Sequence, residues 1–247
     1  HYPLRRQRQM CIRDSARLVV EALQCLSSPD GVDHEDVRMT KRGEGNLSDT
    51  RLVDGMVLEA GLTLDRLPRR LDSGTVLALT CPLEQEEASR ETEIEIEGTD
   101  QWMAFIEAKE AILKKKTDAV LATGANVVLS AEGIEPSIFH ALTDAGCFVL
   151  GGIERSGIED LAKASGATMC DHLDDADASV LGSFSSLEIE TGEGLDGRKE
   201  RICLRFGPGA GLVTLDVGGG DGVAVEEVIR GLYDAVRSTS LAIKTRS

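Results

Sequence analysis

The sequence predicts an α/β fold, on three observations. Between Gly124 and Cys170, short apolar runs alternate with amphipathic helix-length segments. That is the β-α-β-α-β order of sheet strands joined by helical crossovers. Apolar residues also recur at helical spacing over Thr99–Gly124 and over Val223–Leu241. Finally, the runs Met56–Leu58, Val76–Leu79, Arg201–Phe206 and Leu212–Val217 lie between glycine- and proline-containing turns and read as strands.

From the start of the chain, Leu18, Val19, Ala22, Leu23 and Leu26 line one face of a helix over Ala16–Leu26, stopped by Ser27–Gly31. Val37–Thr40 is a short strand, and the turn Gly43–Asn46 after it marks a first boundary. Beyond the Met56–Leu58 strand, Gly61 opens a loop carrying Leu62, Leu64 and Leu67 beside Arg66, Arg69 and Arg70. Pro68 cannot donate to a sheet, so the leucines of this loop need either a core beneath them or a partner above. Glu91–Glu97 alternates Thr92, Ile94 and Ile96 with glutamates, a strand with one solvated face. Thr99 or Asp100 caps the next helix, along which lie Trp102, Phe105, Ile106, Ile112, Leu113, Val120 and Leu121. The alternating region then gives strand Ala125–Ser130, helix Glu135–Ala145 with Ile138, Phe139 and Leu142 inward, and strand Cys147–Leu150. Helix Ser156–Ala164 and a short strand Thr168–Cys170 complete it, ahead of the acidic connector Asp171–Asp177. Leu187–Glu190 and Arg201–Phe206 flank a glycine-rich turn, Gly192–Gly197. In the last helix Val225, Val228, Ile229, Leu232 and Val236 form the apolar face.

Hydrophobic residues make up 41% of the 247, enough for a packed core, but aromatics only 3%. Packing therefore falls to Leu, Val, Ile and Ala. A net charge of −16 opposes binding to nucleic acid or to an anionic membrane, and no apolar run approaches the ~20 residues that span a bilayer. The 6 cysteines contain no C-x-x-C pair and the 4 histidines are scattered. Buried thiols in a reducing, cytoplasmic setting are expected, and a metal site is not. His140 reads as structural. Residues 1–15 carry Arg5, Arg6, Arg8 and Arg13 in an otherwise acidic chain and have no secretory apolar region. They read as a basic arm or as a disordered or foreign stretch resembling translated sequencing-adapter read-through. The second is the expectation, with native sequence from near Ser15.

Two glycine clusters invite a phosphate-loop reading. Gly207–Gly211 lacks the Lys-Ser/Thr of a Walker loop, so a hairpin turn is expected. Gly218–Gly222 lies between strand and helix, but Asp216 and Asp221 would repel phosphate, and a tight turn explains it. No Ser/His/Asp signature stands out. On the last helix Arg230 and Asp234 are spaced for an exposed i, i+4 ion pair.

Several segments closely resemble the group II chaperonins, the archaeal thermosome and its eukaryotic cytosolic relatives. They are Leu52–Pro82, Ile94–Val128 with Thr123–Val128, Leu161–Ala167, and Gly218–Val236 with Tyr233-Asp234-Ala235-Val236. The likeness runs from about Ala16 to Val236. Glu132-Gly133-Ile134 fits the start of a client-facing helix, whereas Glu135–Ala145 diverges, and Gly218 stands where an arginine is usual.

The resemblance implies a chaperonin apical domain, a β-sheet core with flanking helices and a helical protrusion, plus a small α+β intermediate domain. Residues 16–50 would be the first part of the intermediate domain, 51–213 the apical, substrate-binding domain, and 214–247 the second part of the intermediate domain. It further implies client contact by Leu62, Leu64, Arg66, Leu67, Arg69, Arg70, Ile138 and Phe139, and a lid protrusion bearing Trp102, Phe105 and Ile106. Asp234 would position the attacking water during ATP hydrolysis. The family's equatorial nucleotide-binding domain has no counterpart in the chain. A fragment is therefore expected, inactive alone and binding no cofactor itself, although the full-length protein would use ATP and Mg2+. Unfolded polypeptides and the other subunits of a double ring are the implied partners. Two rival readings need no resemblance: an α/β nucleotide-binding enzyme domain, and a structural interaction module with one defined partner.

Overall fold

A computed structural model describes residues 15–26, 33–43, 45–60, 66–84, 99–194, 197–219 and 223–245. The chain divides into two units, residues 66–68 and 73–184 forming one and the remainder the other.

The unit of residues 73–184 is built on the sheet β7-β6-β5-β8. Strands β5 (Gly74–Leu79), β6 (Val127–Ser130) and β7 (Phe148–Leu150) run parallel, and β8 (Gly182–Phe184) is antiparallel to β5. The crossovers are α2 (Thr99–Thr123), α3 (Pro136–Asp144) and α4 (Arg155–Ser165). Leu113 and Val120 of α2 and Ile138 and Leu142 of α3 bury against Leu77, Leu79, Val128 and Val149. The alternate residues Val76, Ala78, Val127 and Phe148 are equally inaccessible, and α4 packs on β5 and β8. Coverage of both faces explains why these strands are continuous apolar runs rather than alternating ones. Pro136 occupies the first turn of α3, where its missing N–H costs nothing, and Gly166 closes α4 in the left-handed conformation. The expected strand Thr168–Cys170 reduces to one bridge, Cys170 opposite Leu79. The Glu91–Glu97 strand lies outside the described residues.

The other unit, the first in chain order, holds two sheets. In β1-β11-β2, β1 (Val37–Lys41) is parallel to β11 (Val213–Val217), and β2 (Arg51–Asp54) is antiparallel to it. Its core joins Val213, Leu215 and Val217 to Val19, Ala22 and Leu23 of α1 (residues 15–25) and to Val225, Leu232 and Val236 of α5 (Val223–Lys244). The second sheet, β3-β10-β9-β4, is antiparallel: β3 (Met56–Ala60), β10 (Gly197–Arg205), β9 (Ser186–Gly194) and β4 (Arg70–Leu71). The β9–β10 hairpin is longer than the two short strands expected from sequence. Residues 206–212 lead from β10 in one sheet to β11 in the other, so the expected hairpin at Gly207–Gly211 is instead a crossover. Gly55 makes the other direct connection, between β2 and β3. Its φ is +132°, and a Cβ there would lie 2.2 Å from the Leu204 carbonyl oxygen, so only glycine fits. A Cβ on Gly218 would lie 2.4 Å from the Asn46 carbonyl oxygen, a close backbone approach that favours glycine there.

Candidate functional site

Where the two sheets of the first unit meet, charged side chains from four strands converge. Asp216 of β11 is fully buried and Arg201 of β10 retains only 6% of its side-chain exposure. Arg201 pairs with Asp216 Oδ1 and donates from Nη2 to the Thr40 hydroxyl of β1 at 3.1 Å. The same hydroxyl donates to Asp216 Oδ1 at 3.3 Å. Arg51 of β2 donates from Nε to Asp216 Oδ2 at 3.1 Å and from Nη2 to Glu190 of β9. Burial pulls the Glu190 carboxyl upward, but the Arg51 hydrogen bond and the Arg51, Arg42 and Arg201 charges outweigh it and hold it below its ordinary value. Burial, with Glu190 adding to it, pushes the neighbouring Cys203 thiol up to about 11, leaving it unreactive at neutral pH. A polar group midway along an apolar strand, such as Asp216 in Val213–Val217, is the sequence signal for this network. It was missed because the partners lie about 15 to 176 residues away.

The lowered Glu190 pKa has a sign that can be checked. Its stabilising contribution is complete above the unfolded carboxyl value of about 4.3 and vanishes as pH falls through the lower folded value. Glu190→Gln is therefore expected to flatten the acid limb of a stability–pH curve below about pH 4.3, read by urea unfolding, and to lower stability at pH 7.

The residues expected to contact clients separate. Leu67 is buried, at 4% exposure, so its side chain faces protein and not solvent, which corrects the expectation for it. Ile138 is likewise fully buried in the core under α3, again a correction, and Phe139 is partly buried beside it. Arg66, Arg69 and Arg70 are exposed. Two of these are committed to the four-stranded sheet: Arg69 pairs with Glu200 at 3.1 Å, and Arg70 with Glu188 at 3.2 Å and Asp72 at 3.0 Å. Leu62 and Leu64 lie outside the described residues.

Helix α2 changes character along its length. Its buried residues are Leu113, Thr117, Val120 and Thr123, all in the C-terminal half. Ahead of them Trp102, Met103, Phe105, Ile106 and Ile112 are exposed, with Trp102 and Phe105 ring centres 6.2 Å apart. Thr99 to Leu113 is a reach of roughly 20 Å at 1.5 Å per residue. The C-terminal half of the helix is thus part of the core, and its N-terminal half is exposed. Met103 and Ile112 join the expected Trp102, Phe105 and Ile106.

On α5, Asp234 is exposed. Arg230 pairs with Glu227 at 2.8 Å and not with Asp234 as the i, i+4 spacing suggested. This helix and β1 enclose an open groove of about 650 Å³, with Val37, Met39, Ile229 and Tyr233 as its apolar lining and Lys41 bound to Glu226 at 3.4 Å. His140 is exposed on α3, its ring edge-on to Phe139. Among the described residues no group of three or more His, Cys, Asp or Glu side chains could hold a metal ion. No helix among them is long and apolar enough to cross a membrane.

A mostly parallel sheet flanked by helices in one unit, and two further sheets in the other, make a mixed α/β fold consistent with chaperonin apical plus intermediate domains. The fold agrees with the open-state monomer of a group II chaperonin from Methanococcoides burtonii, at a TM-score of 0.72 and 22% identity over 93% of this chain and 51% of that one. The TCP-1/cpn60 chaperonin family matches residues 9–247, which takes in part of the segment expected to be foreign. A thermosome subunit of Methanopyrus kandleri is 32% identical over 233 residues, 93% of this chain and 42% of the relative. The thermosome subunit beta of Archaeoglobus fulgidus is 30% identical over 240 residues, 96% of this chain and 43% of the relative. The chain belongs to the TCP-1/cpn60 chaperonin family, on the group II side of it. It spans less than half the length of these relatives, and neither rival reading is favoured.

Proposed function

We propose that this chain is the polypeptide-handling part of a chaperonin subunit, which holds unfolded clients through exposed apolar surface while they are kept from aggregating. The exposed arm of α2 carries this reading. Four large apolar side chains within five residues, Trp102, Met103, Phe105 and Ile106, face solvent in a chain of net charge −16. Such a patch on an otherwise strongly charged surface fits an interaction site. In the whole protein, ATP hydrolysis would drive the holding and enclosing of clients, neighbouring subunits would complete a double ring, and the arms would form its lid. Asp234, exposed on α5, is the residue we assign to orienting the attacking water. Nucleotide and metal would be held elsewhere in the whole protein. Four buried free thiols, Cys81, Cys147, Cys170 and Cys203, suit a reducing compartment such as the cytoplasm.

The test is suppression of aggregation of a chemically denatured protein, without nucleotide. Replacing Trp102, Met103, Phe105 and Ile106 together by Ser is expected to weaken capture about tenfold or more, since burying even one such side chain is worth about 1.5–3 kcal/mol. The melting temperature should not move, because none of the four is buried. Undiminished suppression by this variant would refute the assignment.

A further inference from the structure

The two sheets of the first unit are joined directly by the backbone at two places, Gly55 and residues 206–212. Along the seam, Val53, Val57 and Cys203 form a small buried apolar cluster. Apolar contact has no preferred direction, so such packing does not by itself define the angle at which one sheet meets the other. Charge-assisted hydrogen bonds can, because they weaken steeply when misaligned. Asp216 receives such bonds from β1, β2 and β10 at once, while Arg51 extends the network to β9. Arg201 is committed to this geometry at a cost, since its Nε and Nη1 are buried without hydrogen-bond partners among the described residues. A seam built only for cohesion would be better served by apolar residues of similar volume, which often stabilise as much or more. Val225, Leu232 and Val236 of α5 share one core with Val213, Leu215 and Val217 of β11, so whatever fixes β11 also fixes the helix bearing Asp234.

We infer that Arg201, Asp216, Arg51, Glu190 and Thr40 form a directional clasp that holds the two sheets of the first unit at a single angle. They thereby position α5, with Asp234, relative to the β9–β10 hairpin. These are positioning residues. Under the function proposed above, the clasp makes displacement of the four-stranded sheet and displacement of α5 one movement. The clasp itself needs neither client nor nucleotide, and its test uses neither.

The measurement is the distance between nitroxide labels at Glu59→Cys on β3 and Arg237→Cys on α5, both exposed positions, in the full chain with Cys11→Ser and Cys25→Ser. One narrow distance distribution is expected for this parent. Arg201→Met removes the charge at the seam and Glu190→Gln removes one carboxylate with little change of shape. Each is expected to broaden the distribution at least about twofold or split it, as loss of directional bonds predicts. Glu190, with 31% of its side chain exposed, is the milder site, so Glu190→Gln decides the matter if Arg201→Met does not fold. A width equal to the parent's in the folded variants overturns the clasp. Because no client is present, that outcome leaves the aggregation assay to judge the proposed function separately.

Discussion

Asp216→Ala is expected to destabilise the first unit by about 3–5 kcal/mol, the range for stripping one partner from a buried ion pair. The substitution leaves Arg201, with 6% of its side chain exposed, without the carboxylate it pairs with, and takes from Arg51 one of its two carboxylate acceptors among the described residues. A buried guanidinium cannot escape by losing its proton, so the full desolvation cost remains. The effect should be confined. Amide hydrogen exchange is expected to accelerate about 100-fold or more across β2, β10 and β11, following 1.4 kcal/mol per factor of ten, while β5, β6 and β7 of the other unit keep their protection. Equal acceleration in both units would mean that Asp216 acts on the whole molecule and not at the seam.

Ile138→Ala is expected to cost about 2–5 kcal/mol through the cavity it leaves. The side chain is completely inaccessible and packs with Leu142, Val149 and Leu77 beneath α3. The loss should appear in the thermal transition and in faster exchange across β6 and β7. If Ile138 were a client contact, the same substitution would weaken aggregation suppression and leave the transition in place. An unchanged melting temperature with impaired suppression is thus the result that would restore it to the client-binding surface.

How far the sequence announced these features depends on whether their causes are local. α4 was legible because its apolar stripe and the glycine that ends it, Gly166, lie within twelve residues. The strands β6 and β7 were legible because burial on both faces leaves continuous apolar runs. Ile138 was legible twice, with opposite meanings: helical periodicity turned it inward while family likeness turned it towards clients, and the burial follows the periodicity. The split of α2 was only half legible. Apolar residues occur along its whole length, and only the presence or absence of a sheet beneath them decides which are core. Least legible was the clasp. Thr40, Arg51, Glu190, Arg201 and Asp216 are unremarkable as single letters, and only the pairing of β11 with β1 and β2 and of β10 with β9, set by contacts across the chain, brings them together. Arg230 shows a smaller failure of the same kind, since spacing permitted either Glu227 or Asp234 and the rotamer chose the former.

The one-sided anchoring of α2 has a thermal consequence. A helical stretch of about a dozen residues is marginal in water without tertiary support, because the cost of nucleation is not recovered over so few turns. Here the turn around Leu113 serves as a permanent nucleus, and coil-to-helix conversion runs outward from it towards Thr99. Warming therefore frays the tip first, scattering Trp102 and Phe105 from their shared stripe before any strand loosens. The grip of this arm should fade at temperatures where the body that carries it is still intact.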